Sequence, residues 1–401
     1  MFKMNKKIKG SKNLNVPNLR FPEFSGEWEQ ELLGTTCNVL MCKRILASQT
    51  NSEYGVPFYK IGTIGGIPDA YISQELFELY QAKYNYPRKG EVMITCAGTI
   101  GKTIMFDGND SYYQDSNIVW IDNPTNKFDN TFLYHFISKV DWSKLNTTTI
   151  VRIYNDDLRQ LKISYPTLTE QRKISIFLNL LDERIATQIK IIEKLESLIK
   201  GIVETHYSQC DCTKQVRISE LGEAFTTMNM SKEDLSEEGN ECILYGELFT
   251  TYGCVIKDVK SRTHISTDKA TTSQSNDLLF PASTTVDAMS LIAPSAICKE
   301  EVILGGDLFG VHVNKNYNNE YLSYLINYIY KSKLARYAQG STIIHLHYSD
   351  IKNATLLLPT IEEQNYLAHL MRGVEEKINI EKDMLSKLYS QKAYLLSNLF
   401  I

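Results

Sequence analysis

Apolar residues recur in two long stretches of the chain at steps that alternate three and four residues, the 3.5-residue period of a coiled-coil seam. Each apolar position of the second stretch lies 193 residues after its counterpart in the first. Both stretches carry a polar residue at the same seam position, Gln188 and Glu381. Two unrelated amphipathic surface helices are the alternative, but they would not share one register. The predicted seam comprises Leu178, Leu181, Ile185, Ile192, Leu195, Met371, Val374, Ile378, Leu385 and Leu388.

A repeated motif marks the start of both predicted helices. Pro166-Thr167 with Glu170-Gln171 returns as Pro359-Thr360 with Glu363-Gln364, at the same 193-residue offset. Thr-x-x-Glu has the form of a capping box, in which the hydroxyl and the carboxylate each satisfy a backbone N–H at the helix start. The preceding proline disfavours helix one residue earlier. The motif therefore predicts where each helix begins.

The regions before the two predicted helices are similar at their edges and differ in their interiors. We call the similar edge segments the frame. Residues 148–158 (TTIVRIYNDDL) align without a gap to 341–351 (STIIHLHYSDI) at the same offset. The interiors diverge, with short β-branched and aromatic runs that predict strands at 56–61, 117–121, 243–248, 302–304 and 309–313. Helical stretches at 73–84, 130–138 and 320–337 lie between them. Each region is therefore predicted to be a mixed α/β (α+β) domain, and the chain an internal duplication.

This organisation predicts six segments. They are an N-terminal tail and extended lead-in (1–27), a first globular domain (28–165), a long helix (166–207), a linker (208–215), a second globular domain (216–358) and a second long helix (359–401).

Composition narrows the class of protein. The 401 residues are 43% hydrophobic and 22% charged, and no apolar run is long enough to span a bilayer. Residues 1–13 are basic and polar and lack the apolar region of a signal peptide. The eight cysteines are scattered without metal spacing, which indicates reduced thiols in a cytoplasmic protein. The net charge of −4 argues against a protein that binds nucleic acid through an overall positive charge.

The chain resembles the specificity (S) subunits of type I DNA restriction–modification systems over nearly its whole length. The resemblance is carried by residues 16–24 (VPNLRFPEF) with Trp28, by the doubled Pro-x-x-x-Glu-Gln starts and by the heptad helices. It implies two target recognition domains, each reading one half of a split site in double-stranded DNA, separated by two long antiparallel helices with pseudo-twofold symmetry.

The same resemblance implies partners and no catalysis on this chain. S subunits dock two modification subunits, which methylate adenine using S-adenosylmethionine. Through these they dock the restriction subunits, which cut DNA using ATP and Mg²⁺. No cofactor or metal is expected on this chain itself. The alternatives are the specificity subunit of a methylation-only system and a coiled-coil scaffold whose two domains bind proteins.

Other chemistry fits less well. Residues 97–103 (AGTIGKT) look like a phosphate loop, but Cys96 stands where G-x-x-x-x-G-K-T needs glycine, so a glycine turn between strands is the plainer interpretation. Asp122-Asn123-Pro124-Thr125 lacks the second proline and the aromatic residue of the amino-methyltransferase motif. His345 and His347 would lie on one face of a strand, and a surface or DNA-facing role is favoured over a metal site.

Candidate DNA-contacting residues follow from the donors that read base edges and phosphates. In the first domain they are Lys43, Arg44, Lys60, Thr99, Lys102, Gln114 and Arg152. In the second domain they are Lys260, Arg262, Lys269, Arg336, His345 and His347. For each of them, a solvated surface side chain is the competing interpretation.

Overall fold

A computed structural model describes the backbone of residues 3–4 and all of residues 15–144, 152–210 and 214–401. Much of the predicted tail, positions 148–151 of the repeated run and positions 211–213 of the predicted linker lie outside these described residues. The chain divides into two compact units, unit 1 (Met1–Ile189 with Met384–Ile401) and unit 2 (Lys190–Asp383). The range of each unit includes one whole predicted domain and part of both long helices. The predicted domain boundaries themselves stay predictions.

Unit 1 contains two larger sheets and two strand pairs in its described residues. Its strands are β1 (Lys3–Met4), β2 (Leu19–Arg20), β3 (Glu29–Leu32), β4 (Asn38–Leu40), β5 (Val56–Tyr59), β6 (Tyr71–Ile72), β7 (Val92–Thr95), β8 (Thr103–Met105), β9 (Tyr112–Tyr113), β10 (Ile118–Asp122) and β11 (Lys162–Tyr165). Its helices are α1 (Gln74–Lys83), α2 (Asn130–Lys139), α3 (Asn155–Arg159) and the first part of α4 (Leu168–Gln209). One sheet is antiparallel in the order β4-β10-β7-β8, and the other has the order β6-β5-β9.

Both faces of the antiparallel sheet are buried. Because side chains alternate along a strand, Val92 and Ile94 of β7 face one apolar core while Met93 faces another. The first core also contains α2, the start of α4 and the C-terminal residues 395–400. Phe400 lies 4.9 Å from Phe132 of α2, measured between ring centroids. The long helices are thus part of the domain core in unit 1.

Unit 2 has a different interior. Its strands are β12 (Lys214–Arg217), β13 (Gly222–Thr226), β14 (Leu235–Ser236), β15 (Asn240–Leu244), β16 (Val255–Ile256), β17 (Ser261–Thr263), β18 (Asp277–Pro281), β19 (Ser283–Thr284), β20 (Ser295–Ile297), β21 (Ile303–Gly305), β22 (Leu308–Val313), β23 (Ile344–His345) and β24 (Thr355–Leu358). Its helices are α5 (Glu247–Thr250), α6 (Ala288–Leu291), α7 (Asn319–Leu325), α8 (Lys331–Leu334), α9 (Tyr348–Ile351) and most of α10 (Ile361–Leu399). Its larger sheets have the orders β13-β22-β18-β20-β16 and β14-β17-β15-β21.

The two units share the way in which each domain is closed. In unit 1 the entering strand β3 pairs with the leaving strand β11, and in unit 2 β12 pairs with β24 in the same antiparallel sense. Each leaving strand runs into the proline before a long helix. The repeated frame in the sequence is therefore a strand pair that brings the two ends of each domain together.

The repeated glutamine joins each long helix to its domain. Gln171 accepts a hydrogen bond from the backbone N–H of Asp129 at 2.9 Å, and Gln364 accepts one from Asn318 at 3.0 Å. Asp129 and Asn318 are the N-cap residues of α2 and α7. Both glutamine side chains are buried, and each also donates to the carbonyl of the proline five residues earlier.

The predicted capping box forms at only one of the two helices. At α10, Glu363 accepts from the backbone N–H of Thr360 at 3.1 Å, as the motif predicts. At α4, both oxygens of Glu170 instead bind the guanidinium of Arg20, at 2.8 and 2.7 Å. Arg20 belongs to the lead-in before the first domain, so an ion pair with this segment takes the place of the capping box. The predicted box at Thr167 is therefore wrong.

The predicted seam residues lie on the inner sides of the long helices. In unit 1, Leu178, Leu181, Ile185 and Leu388 are buried and Leu385 is half-buried. In unit 2, Ile192, Met371 and Ile378 are buried, and Leu195 and Val374 are half-buried. The polar positions Gln188 and Glu381 are buried as well.

Ion pairs join the two long helices inside each unit. In unit 1, Lys392 lies 2.5 Å from Asp182. In unit 2, Lys382 lies 2.8 Å from Glu196. Further along α4, burial lowers the pKa of His206, and the negative charge of Glu363, near the start of α10, opposes that shift. In unit 2, the later of these two positions on α4 faces the earlier position on α10. The two helices therefore run antiparallel in that unit.

Two further observations concern the whole described chain. No helix in the ranges described is both long and apolar enough to cross a membrane. Cys37, Cys42, Cys96, Cys242, Cys254 and Cys298 are free. Cys210 is disulfide-bonded, so the expectation of reduced thiols is wrong at that position.

Acid should destabilise unit 1 through the buried His135. Burial lowers the pKa of His135 to about 4, against the opposing charge of Asp182. In the unfolded chain a histidine titrates near 6.5, so between pH 6.5 and 4 the unfolded state binds a proton that the folded state does not. We expect the free energy of unfolding to fall by about 3 kcal/mol across this window. His135→Gln should flatten that dependence in urea titrations, whereas exposed His264→Gln should leave it unchanged.

Candidate nucleic-acid interface

The repeated run before each leaving strand is held by the same backbone contacts in both units. The N–H of Ile153 donates to the carbonyl of Cys96 at 2.9 Å, and the N–H of Leu346 donates to Ala282 at 2.9 Å. These partners follow β7 and β18, strands that both lie inside their sheets. Asp157 then accepts from the N–H of Tyr154 at 2.7 Å, and Asp350 from that of His347 at 2.8 Å. The run therefore has one local structure in two different domains.

In unit 1 several predicted DNA contacts meet around residues 114–116. Arg44 pairs with Asp115 at 2.7 Å, and Arg152 donates to the carbonyl of Ser116 at 3.1 Å. The side chain of Gln114 accepts from the backbone N–H of Ile61 at 3.4 Å. An open cleft of about 320 Å³ includes Ser116 and Arg152 in its wall. The structure thus brings Arg44, Gln114 and Arg152 to one region.

The glycine-rich segment is a turn that joins β7 to β8. Gly98 and Gly101 have φ of 65° and 78°, the left-handed region that glycine enters without strain. A Cβ on Gly101 would lie 2.3 Å from the Trp142 ring, so the turn also needs glycine for space. Lys102 donates to the carbonyl of Ile64 at 2.5 Å. The lysine of this segment is therefore held by a backbone carbonyl outside the turn, which agrees with the glycine-turn interpretation.

The remaining candidates of unit 1 lie at its surface. Thr99 is exposed in the same turn, and its carbonyl accepts from the hydroxyl of Thr95. Lys60 pairs with Asp69 at 3.1 Å, and the ammonium of Lys43 lies 5.5 Å from the ring centroid of Tyr84. Whether these side chains contact DNA stays a prediction.

In unit 2 the candidates fall into two groups. His345 and His347 are exposed, and their rings stack with centroids 6.2 Å apart. Arg336 is exposed in a 3-10 turn shortly before Gln339, which forms a backbone bridge with His345. The second group lies on and around β17, where Arg262 pairs with Glu241 at 3.9 Å and Lys260 and Lys269 are exposed.

A larger cleft in unit 2 lies beside the first group. It has a volume of about 740 Å³, and its wall includes Ser283, Thr284, Val286 and Ile343. Ser283 of β19 is the strand partner of His345 on β23. The hydroxyl residues of this wall were not among the predicted contacts, because nothing in the local sequence links 283–286 to the histidines.

One residue was missed that the sequence could have indicated. Tyr154 stands 193 positions before His347 and lies 6.0 Å from the Arg152 guanidinium, measured to its ring centroid. Reading the repeated run position by position would have placed it beside the candidates.

Carboxylate, thiol and imidazole groups do not assemble into a metal site in the parts of the chain that the structure describes. Nothing among the candidates forms a nucleophile with a neighbouring base. Arginine, glutamine, histidine and hydroxyl side chains are groups that hydrogen-bond base edges and phosphates.

Comparison with known proteins agrees with the doubled frame. A family model described as the type I restriction modification DNA specificity domain matches residues 25–197 and again 213–389. A type I restriction enzyme specificity subunit of Haemophilus influenzae is 49% identical over 172 residues, 43% of this chain and 41% of that protein. The MjaX specificity subunit of Methanocaldococcus jannaschii is 22% identical over 413 residues, 94% of each chain. The Haemophilus alignment therefore spans less than half of that relative.

Solved structures share the fold. The crystal structure of a type I restriction-modification S subunit from M. genitalium gives a TM-score of 0.57 at 17% identity, covering 96% of this chain and 99% of that one. A structure from work on assembly and conformational transition of the type I R-M system gives 0.54 at 16% identity, covering 93% and 97%. The predicted fold class, mixed α+β with two long helices and an internal duplication, is confirmed.

Proposed function

The chain belongs to the type I restriction modification DNA specificity family, and from that membership we propose that it is the DNA sequence-specificity subunit of a type I restriction–modification complex. Each unit reads one half of a split target in double-stranded DNA. The observation that carries this proposal is the double match of the family to residues 25–197 and 213–389, one match for each repeated frame.

The chain itself is proposed to be non-catalytic. Two modification subunits bind it and methylate adenine with S-adenosylmethionine, and restriction subunits join through them with ATP and Mg²⁺. The chain then contributes recognition and assembly in the cytoplasm, where the DNA lies. The recognition role is supported by the candidate surfaces, which offer hydrogen-bond donors and acceptors to base edges and phosphates.

Methylation mapping tests this function directly. The chain would be expressed with its modification partner, and methylated adenines would be located across the host DNA. We expect a bipartite motif, two short specified halves with an unread spacer between them. A continuous motif, or no motif from an assembled complex, would contradict the proposal.

The long helices are proposed to set the spacer. α4 has 42 residues and α10 has 39, lengths of about 63 and 58 Å at about 1.5 Å per residue. A turn of DNA is about 34–36 Å, so such helices exceed one turn. Removing one heptad from each helix should keep the seam in register and shorten the spacer while both half-sites stay the same. The mapped motif of the variant gives the result, and an unchanged spacer in an active complex would count against this role.

Modification subunits are proposed to dock on apolar side chains that the long helices leave exposed. In unit 1, Ile176 and Leu180 lie one turn apart on α4 and are 63% and 59% exposed. In unit 2, Tyr366 and Leu370 lie one turn apart on α10 and are 68% and 40% exposed. Two such patches fit two modification subunits, since exposed apolar patches often mark interaction sites.

Leu180→Asp should lower co-purification of the modification subunit without unfolding the chain. An aspartate at this position stays in water in the free chain but would be desolvated in the complex. Tryptophan fluorescence verifies folding. Glu183→Gln, on the same helix, is the control variant, because it removes no apolar side chain and should assemble normally. Full assembly with Leu180→Asp would place the docking surface elsewhere.

A further inference from the structure

The repeated run provides two equivalent positions with different side chains. Arg152 and His345 each stand one residue before the backbone hydrogen bond that ties the run to the end of an inner strand. Tyr154 and His347 each stand one residue after it, at the capped start of a short helix. The backbone hydrogen bonds that follow positions 152 and 345 are therefore shared between the units, while the side chains at the two positions differ.

In unit 1 the guanidinium of Arg152 is held before any ligand binds. One terminal nitrogen donates to the carbonyl of Ser116, and the group lies over the Tyr154 ring. The half-buried side chain lines the open cleft described above. A positioned guanidinium presents a planar fork of donors, the geometry that matches O6 and N7 of guanine in the major groove.

In unit 2 the equivalent position carries an imidazole. His345 is fixed through its backbone, which exchanges hydrogen bonds of 2.9 and 2.7 Å with Gln339. Its exposed ring stacks on that of His347, so two rings stand side by side next to the hydroxyl-lined cleft. An imidazole offers one nitrogen at a time to a base edge, so it cannot replace the fork of an arginine.

We propose that positions 152 and 345 are equivalent base-reading positions, one in each recognition domain. Arg152 binds O6 and N7 of a guanine in the half-site that unit 1 reads. His345, supported by His347, contacts a base edge at the corresponding place in the other half-site. The inference rests on the proposed function and adds to it the residues that distinguish the two halves.

The test uses the complex with the modification subunit and the target found by methylation mapping. Binding is measured on the target DNA and on DNAs in which one guanine of the unit 1 half-site is replaced by 7-deazaguanine. This base lacks the N7 acceptor. At one position the replacement should weaken binding by the intact protein about tenfold, as expected for loss of part of a bidentate contact. Arg152→Ala should bind both DNAs equally.

Matched variants separate base reading from charge. Arg152→Lys keeps the charge and loses the planar fork, so it should reduce the preference for guanine while keeping the charge-dependent part of binding. Arg159→Ala removes an exposed arginine from α3 and should keep the full preference for guanine. His345→Ala should relax one base pair of the other half-site and leave the first half-site unchanged, which shows in the mapped motif that both domains remain folded.

The outcomes distinguish the two proposals. A bipartite motif that Arg152→Ala leaves unchanged would overturn this inference and keep the proposed function. If Arg152→Ala weakened binding to the guanine DNA and to the 7-deazaguanine DNA by the same factor, Arg152 would be a phosphate contact. That result would also overturn the inference. Absence of any bipartite motif from the unaltered complex would reject the proposed function first.

Discussion

Leu178→Asp is expected to unfold unit 1. Leu178 lies on α4 with no exposed surface, in the same apolar core as Trp28, Phe132 and Leu399. The substitution removes a buried aliphatic side chain and leaves an unpaired carboxylate in its place, which should cost about 5 kcal/mol or more. Such a loss approaches the whole stability of a typical domain.

Tryptophan fluorescence gives a selective measurement of this effect. The three tryptophans of the chain, Trp28, Trp120 and Trp142, all lie in unit 1 and are buried. Urea titration of their emission therefore reports unit 1 alone. Leu180→Asp is the matched control, because Leu180 is 59% exposed two residues away on the same helix. A native transition in Leu178→Asp would show that this helix face does not stabilise the unit.

Arg20→Ala should be the most damaging single loss of charge in unit 1. Arg20 binds the carboxylate of Glu170 through two hydrogen bonds and also donates to the carbonyls of Ser25 and Gly26. Glu170 is 1% exposed, so removal of the arginine leaves a buried charge without its cation. Breaking one side of such a pair costs about 3–5 kcal/mol.

Two variants make this prediction specific to the buried pair. Arg159→Ala breaks a pair whose side chains are 48% and 76% exposed and should cost less than about 1 kcal/mol. Arg20→Met with Glu170→Met removes both charges and should recover much of the stability that Arg20→Ala loses. If Arg20→Ala and Arg159→Ala gave equal free energies of unfolding, the lead-in would not stabilise the start of α4.

Periodicity allowed the largest features to be predicted. A 3.5-residue repeat over many turns has few solutions other than a paired helix, and the prolines before Thr167 and Thr360 limit where each helix can start. The observed starts at Leu168 and Ile361 follow directly. Local signals are reliable here because backbone sterics and side-chain spacing act within one element.

Short elements were harder to predict because distant partners decide them. The apolar run at 243–248 predicts one strand, but the strand β15 ends at Leu244 and α5 begins at Glu247. The Glu247 carboxylate accepts from the N–H of Leu244 at 2.8 Å and from the Ser261 hydroxyl at 2.7 Å. Ser261 is on another strand, so the sequence of the run alone contains no sign of this ending.

The amino-acid sequence by itself determined the duplication, the two helix starts and the family, because these depend on residue types at fixed spacing along one chain. The tertiary structure decided that the Glu363 carboxylate caps its helix, whereas the Glu170 carboxylate binds Arg20 instead. It also decided that Arg152 rests on Ser116 and that His345 lies beside Ser283. These contacts join residues 36 or more positions apart, and their geometry depends on how the sheets fold between them.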